Sequence, residues 1–546
     1  MSAPTTPPLR EGAPFSDART CKEWLGALPL TNIPQAQTLA LEALRVMNRS
    51  TDFDNLERLK CMELLRDKVA FLQGEQRSRY FGKSIPLSPN DTNAWVTGCA
   101  LLEEMETGYR KSLTDARATD GDAAQHEPLI AQRVVRCIGS RMLFHALVYK
   151  RFDPALWTRL HELLADVEAR AIASSPVKDS LEGEGGNSSI AEAYAQVVLL
   201  QAAFLSEMTA PQVDFAEALL RLWSRKVQLL AAPAPGDARR LDALVIDPAK
   251  PIGARPQPRP DFTQGQRIVE TDALSKSIRR RIHGLTNGED IATLGLPPQT
   301  AGVDTLFELK RLHKLWCEGA PPRPAPKASQ TEKAGLVFGL TDIHFFASAG
   351  KPFEQPGQKQ RELTSQEMKD IEVFGRVREQ TSLNVMAQTQ GRGAVMPSVT
   401  VEGWPVVDEL LGAVRVQRPQ TSGKSVAIGR LVAIRMGDAA PFYLGWITEL
   451  VQETDGRIIA TVSLFPGKPE PIAARPGDAR NRPNAQWTQA LRLPPLEKLQ
   501  IPASIVLPSG LAHRGRGVEV WSGGAKELTV QDILEHGTDF DRVTAS

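Results

Sequence analysis

The stretch TSGKSVAIGRLVAIRM, Thr421–Met436, decides the fold of the final third of the chain. Its first half contains Gly423-Lys424-Ser425, the ending of a phosphate-gripping loop. Its second half sets Val426, Ile428, Val432, Ile434 and Met436 on one side of an extended chain, with Arg430 as the exception. A Walker loop needs a glycine five positions before its second glycine and must run from strand into helix. Arg418 stands at the required position, and alternation with period two is the signature of a strand, not a helix. The tetrapeptide therefore reads as a polar hairpin turn between strands.

The alternation continues outward. RIIATVSLF places Ile458, Ala460, Val462 and Leu464 on one face, and PFYLGWITEL does so with Phe442, Leu444, Trp446 and Leu450, interrupted by Thr448. Turn residues separate these runs, which predicts an antiparallel barrel. PASIVLP and RGVEVWS predict further strands, and LTVQDILEHG a late helix.

Upstream the period changes. Leu56, Leu59, Met62, Leu65, Val69 and Leu72 recur every three or four residues, as do Trp95, Cys99, Leu102, Met105 and Tyr109, and Ile130, Val134, Ile138, Met142 and Leu147. These are helical stripes that must be buried on one another. Asp153-Pro154 predicts a helix start carrying Trp157, Leu160 and Leu164, and further helices are expected over 190–208 and 213–230. The glycine-rich LEGEGGNSS reads as a connector before a helix capped by Ser188 or Ser189. The expected class is α+β: an α-helical bundle or solenoid followed by an antiparallel β-barrel and a β-rich extension. Boundaries are expected at 1–231 for the helical domain, 232–262 for a Pro/Arg-rich linker and 263–318 for a small helical segment. A second linker at 319–335, a connector with an arginine arm at 336–398, the barrel at 399–476 and the extension with its terminal helix at 477–546 complete the chain.

Composition narrows the function. Of 546 residues, 42% are hydrophobic and 24% charged, with a net charge of +1, so no global field draws the chain to nucleic acid or an anionic membrane. No apolar run reaches transmembrane length, and the start is proline-rich without a signal-peptide core, so a cytoplasmic protein without membrane insertion is expected. Five scattered cysteines predict buried thiols in a reducing compartment. His313 and Cys317 share a helix face but lack two further metal ligands, and His161 in HELLAD lacks the second histidine of a metalloprotease helix. No nucleophile elbow or paired carboxylates point to catalysis, so the expectation is no enzyme, no metal and no catalytic residues.

The segment VEGWPVVDELLGAVRVQRP, with GKSVAIGRLVAIR and FYLGWITELVQETDGRIIATVSLFPGKPEPIAAR, resembles a PilZ-type domain, the barrel of bacterial cyclic-di-GMP receptors. The tail, GLTDIHFFASAGKPF and CKEWLGALPLTNIPQAQ resemble long proteobacterial proteins of that type. The resemblance implies an Arg-x-x-x-Arg element and an Asp/Asn-x-Ser-x-x-Gly element. The first maps onto RVREQ, with Arg376 in place, Gln380 for the second arginine and Arg378 off register. The second maps onto DELLGA, with Asp408 kept, Leu410 for serine, Ala413 for glycine and Gly412 beside it. Arg392, Arg415 and Arg418 could each supply a displaced cation. The implied ligand site is Arg376, Arg378, Gln380, Asp408, Gly412 and Arg415, for cyclic-di-GMP.

The function expected is a non-enzymatic cyclic-di-GMP-linked effector or adaptor whose helical part engages another protein. Ligand would order the Arg376 arm and shift the barrel against the helices. Two alternatives stay open. One is single-stranded RNA binding through the barrel, with Trp404 and Trp446 as stacking residues, and the basic helix SKSIRRRIH (275–283); near-neutral charge and 6% aromatic residues argue against it. The other is a protein–protein scaffold that has lost its ligand.

Overall fold

A computed structural model describes residues 14–546, except 52, 119–123, 183–185, 232–242, 258–261, 264, 299–301, 320–324, 357–399, 420–422, 438–440 and 478–485. The chain forms two compact units, Met1–Arg323 with Val451–Arg457, and Pro324–Leu450 with Ile458–Ser546.

The first unit is built on helices α1 Ala18–Gly26, α2 Ile33–Arg49, α3 Asn55–Gln76, α4 Pro89–Ala118, α5 Glu127–Ala146 and α6 Ala155–Ala169. A two-stranded hairpin, β1 Val177–Lys178 and β2 Asn187–Ser188, precedes α7 Ile190–Ala202 and α8 Ala210–Trp223. Each sequence stripe is the buried face of a helix: Leu59, Met62, Leu65, Val69 and Leu72 on α3, Met105 and Tyr109 on α4, and Ile130, Val134, Ile138 and Met142 on α5 enter one core. Asp54 caps α3, the Asp153 carboxylate accepts the Ala155 amide, and the Ser189 hydroxyl caps α7 by accepting the Glu192 amide.

The Pro/Arg-rich linker expected over 232–262 is not wholly extended chain. Strands β3 Gln228–Ala231, β4 Ala243–Ile246, β5 Arg255–Gln257 and β6 Arg267–Glu270 form a sheet in the order β3-β6-β4-β5. Leu244, Val245 and Ile246 are buried, so this short apolar run outweighs the surrounding prolines. Pro256 falls on edge strand β5, where a missing N–H is tolerated. The sheet leads into α9 Asp272–Thr286 and α10 Thr305–Cys317.

The second unit holds two closed six-stranded barrels. The first comprises β7 Lys333–Phe338, β8 Glu402–Leu410, β9 Ala413–Arg418, β10 Leu431–Met436, β11 Tyr443–Gln452 and β12 Ile458–Leu464; helix α11 Leu340–Ala347 follows β7. Its strand order is β10-β11-β12-β9-β8-β7. The second comprises β13 Glu470–Pro476, β14 Thr488–Leu493, β15 Ser504–Pro508, β16 Gly517–Trp521, β17 Ala525–His536 and β18 Phe540–Ala545. One core joins them: Val337, Leu431 and Leu444 of the first pack with Leu491, Val506 and Phe540 of the second and Ile343 of α11.

Several expectations are corrected here. The first barrel begins at Lys333, inside the expected linker and connector, while β13, placed by the sequence in that barrel, opens the second. Val426–Met436 is not one strand: Gly429, with φ of 79°, turns the chain, and β10 starts after the Arg430 exception. Because β9 and β10 are not neighbours, the SGKS segment lies in a crossing connection, not a hairpin. LTVQDILEHG is not a helix but part of β17. Its pairing with β18 shifts register at Val530/Asp532 and Ile533/Glu535, and the strand therefore lacks the regular alternation by which the other strands were read.

Candidate functional site

Three parts of the molecule bear on the expected site. The first is the rim of the first barrel. Strands β8 and β9 meet at Leu411-Gly412, a two-residue connection between the paired Leu410 and Ala413. Gly412 has φ of 74° and open space where a side chain would stand, and Leu411 is 90% exposed. Asp408 and Arg415 are cross-strand partners, with a carboxylate–guanidinium distance of 3.0 Å, and Glu449 of β11 lies 3.9 Å from Arg415. The structure thus brings Asp408, Gly412 and Arg415 together on one hairpin. Arg376, Arg378, Gln380 and Arg392 lie outside the described residues.

The second part is the connection between β9 and β10. Arg418 is 3% exposed, stacks 4.7 Å above the Trp404 ring, and donates to Glu402 at 2.9 Å and to the Lys424 carbonyl. Glu402 also accepts the Lys424 amide at 2.5 Å and the Trp404 indole N–H at 3.1 Å. The Lys424 ammonium binds Asp342 of α11 at 2.6 Å. Burial pushes the Arg418 guanidinium down and the Glu402 charge opposes it. The lysine and its amide are thus held by carboxylates, an arrangement opposite to a phosphate cradle. Arg418 is a buried structural cation here, not a ligand contact at the rim.

The third part, which the sequence reading missed, is a cavity of about 290 Å³ inside the helical unit. Val69 of α3, Leu102 and Met105 of α4, Phe144 of α5 and Val197 and Leu200 of α7 give it an apolar lining. Tyr80 and Phe144 meet there with ring centroids 5.5 Å apart. Four arginines, Arg66, Arg77, Arg136 and Arg221, reach the same space. Arg66 and Arg136 converge with Arg133 on Asp179, whose side chain is fully buried beside the β1–β2 hairpin. Burial would raise that carboxyl; Arg66, the Gln132 amide and Arg133 overcome it and hold its pKa at about 2. Arg77 pairs with Asp214, and Arg221 with Glu217 at 2.8 Å. Burial raises the neighbouring Cys137 thiol to about 12, which makes it an inert core group. These residues lie far apart in sequence, on five helices, the turn after α3 and the segment after β1, so no local motif marks them.

Other candidates are absorbed into packing. His161 contacts the Tyr194 hydroxyl at 2.7 Å and the Ile252 carbonyl at 2.9 Å; His313 contacts Ser275 at 2.9 Å and Glu318 at 3.1 Å. No cluster able to hold a metal ion occurs among the described residues. On α9, Arg279 donates to Ser275, and Arg281 donates to Ser277 and stacks on Trp223 at 4.7 Å. Trp404 is buried, and Trp446 packs edge-on against Phe540 at 6.0 Å. The aromatic platform that RNA binding requires is therefore not formed by these two rings. Among the described residues no helix is long and apolar enough to cross a membrane.

No curated protein and no solved structure matches this chain. Residues 19–234, less than half of its length, match the family described as the cyclic-di-GMP receptor FimW, N-terminal domain, so the helical part is similar to that receptor domain.

Proposed function

We propose that this chain is a non-enzymatic cyclic-di-GMP effector with a PilZ-like first barrel, and that its helical part contacts another protein. One observation carries the ligand: the similarity of residues 19–234 to the N-terminal domain of a cyclic-di-GMP receptor. The rim expected from sequence, Asp408, Gly412 and Arg415 with the arm of Arg376, Arg378 and Gln380, is one place for the dinucleotide. Asp408 and Arg415 are joined there at 3.0 Å, so a ligand phosphate would compete with the carboxylate for the guanidinium. A guanidinium freed in this way would offer a bidentate fork to a phosphate.

Calorimetry of the full chain with cyclic-di-GMP tests the reading. Saturable heat is expected. A folded sample that gives none at high micromolar ligand overturns it.

A further inference from the structure

We infer that the cavity between α3, α4, α5 and α7 is a guanosine-phosphate pocket that receives one half of the cyclic dinucleotide; this rests on the function proposed above. Every residue lining it falls within 19–234, the segment similar to the receptor domain. Its volume, about 290 Å³, lies just below the roughly 300–1,000 Å³ of ligand pockets, so a whole cyclic dinucleotide is too much for it.

The chemistry is graded from inside to outside. Leu102, Met105, Val197 and Leu200 are buried and offer apolar contact to a purine, and Tyr80 and Phe144 add ring faces. Arg66 and Arg136 hold side chains that are 10% and 16% exposed and are tied to Asp179. Arg66 also donates to Ser180, and Arg136 to Gln196 and Ser188, so a guanine edge must displace one of these partners. Arginine is the side chain that reads the adjacent O6 and N7 acceptors of guanine, a pair adenine does not present. Arg77 and Arg221, 36% and 44% exposed, stand at the solvent side, where phosphate oxygens can replace or share their carboxylate partners Asp214 and Glu217. Apolar depth, fork donors for a guanine edge and exposed cations for a phosphate are the three demands of a guanosine phosphate.

The test uses the full chain and cyclic-di-GMP, with cyclic-di-AMP as the base control. Arg77→Ala with Arg221→Ala removes the outer cations, and Ser140→Phe fills the cavity. The outer double variant is expected to weaken binding by roughly a hundredfold, about tenfold for each charge-assisted contact. Ser140→Phe should abolish binding, and cyclic-di-AMP should bind at least about tenfold more weakly. Hydrogen exchange on the unmodified protein, which needs no variant to fold, should show ligand protection at 136–147 and 196–201. Wild-type binding by both cavity variants, or protection confined to 402–418, overturns the pocket while the effector function stands. Absence of heat with the wild-type chain overturns the function, and the pocket with it.

Discussion

Arg418 and Glu402 form a buried ion pair at 2.9 Å, with side chains 3% and 11% exposed, under the edge of the first barrel. The pair locks the β9–β10 connection to β8, because Glu402 also accepts the Lys424 amide. Removing one partner leaves an uncompensated buried charge. Glu402→Ala should destabilise the chain by about 3–5 kcal/mol in chemical denaturation, whereas Glu402→Leu with Arg418→Met should recover most of that loss. Equal destabilisation by the single and the double variant would contradict this account.

Gly423 has a backbone that only glycine adopts readily, with φ of 85°, and a Cβ there would stand 2.0 Å from Arg418 Nη1 and 2.2 Å from Glu402 Oε2. Gly423→Ala should therefore cost more than about 1 kcal/mol and lower the unfolding midpoint. An unchanged midpoint would show that the Arg418–Glu402 pair can move aside.

Lys424 is held by Asp342 in a partly exposed bridge, with the lysine side chain 38% exposed. Lys424→Ala should change stability by less than about 1 kcal/mol. Neither the parent chain nor the variant should bind ATP in calorimetry, since the ammonium and the amide already face carboxylates. ATP-dependent heat lost in the variant would restore the phosphate-loop reading.

Asp179 is the carboxylate on which Arg66, Arg133 and Arg136 converge. Its folded pKa of about 2 lies below the ordinary carboxylate value. Its ionised form therefore adds stability that is fully present above the unfolded pKa of about 3.9 and is lost as pH falls through that value towards 2. Asp179→Ala should cost about 3–5 kcal/mol at pH 7, because the guanidiniums lose their shared partner. The difference from wild type should shrink in denaturation series below pH 4. A difference independent of pH would assign the loss to packing.

Local periodicity reported the helical unit well. The stripes of α3, α4 and α5 name their own buried faces because a helix needs only residues three and four apart to form one. The strands β11 and β12 were equally legible, since each alternates within itself. The same local reading erred at β17, where two bulges altered the phase, and at β4, where four apolar residues stood among prolines. It also took the SGKS segment for a hairpin, because strand adjacency is a matter of pairing between distant segments. At the rim, Asp408 entered through the resemblance and Arg415 through its place after the turn; that the two pair across one hairpin came only from the pairing of β8 with β9.

The sequence by itself determined the class: helices first and closed sheets after, with Cys21, Cys61 and Cys137 buried as expected and Cys99 and Cys317 only partly so. Only the tertiary structure decided that β7 closes the first barrel, that a second barrel shares its core, and that four arginines from α3, α5, α8 and the turn after α3 reach one cavity. The reason is range. A helical stripe or a strand face is fixed by neighbours in the chain, whereas a cavity is the space left between faces whose mutual position no single segment encodes.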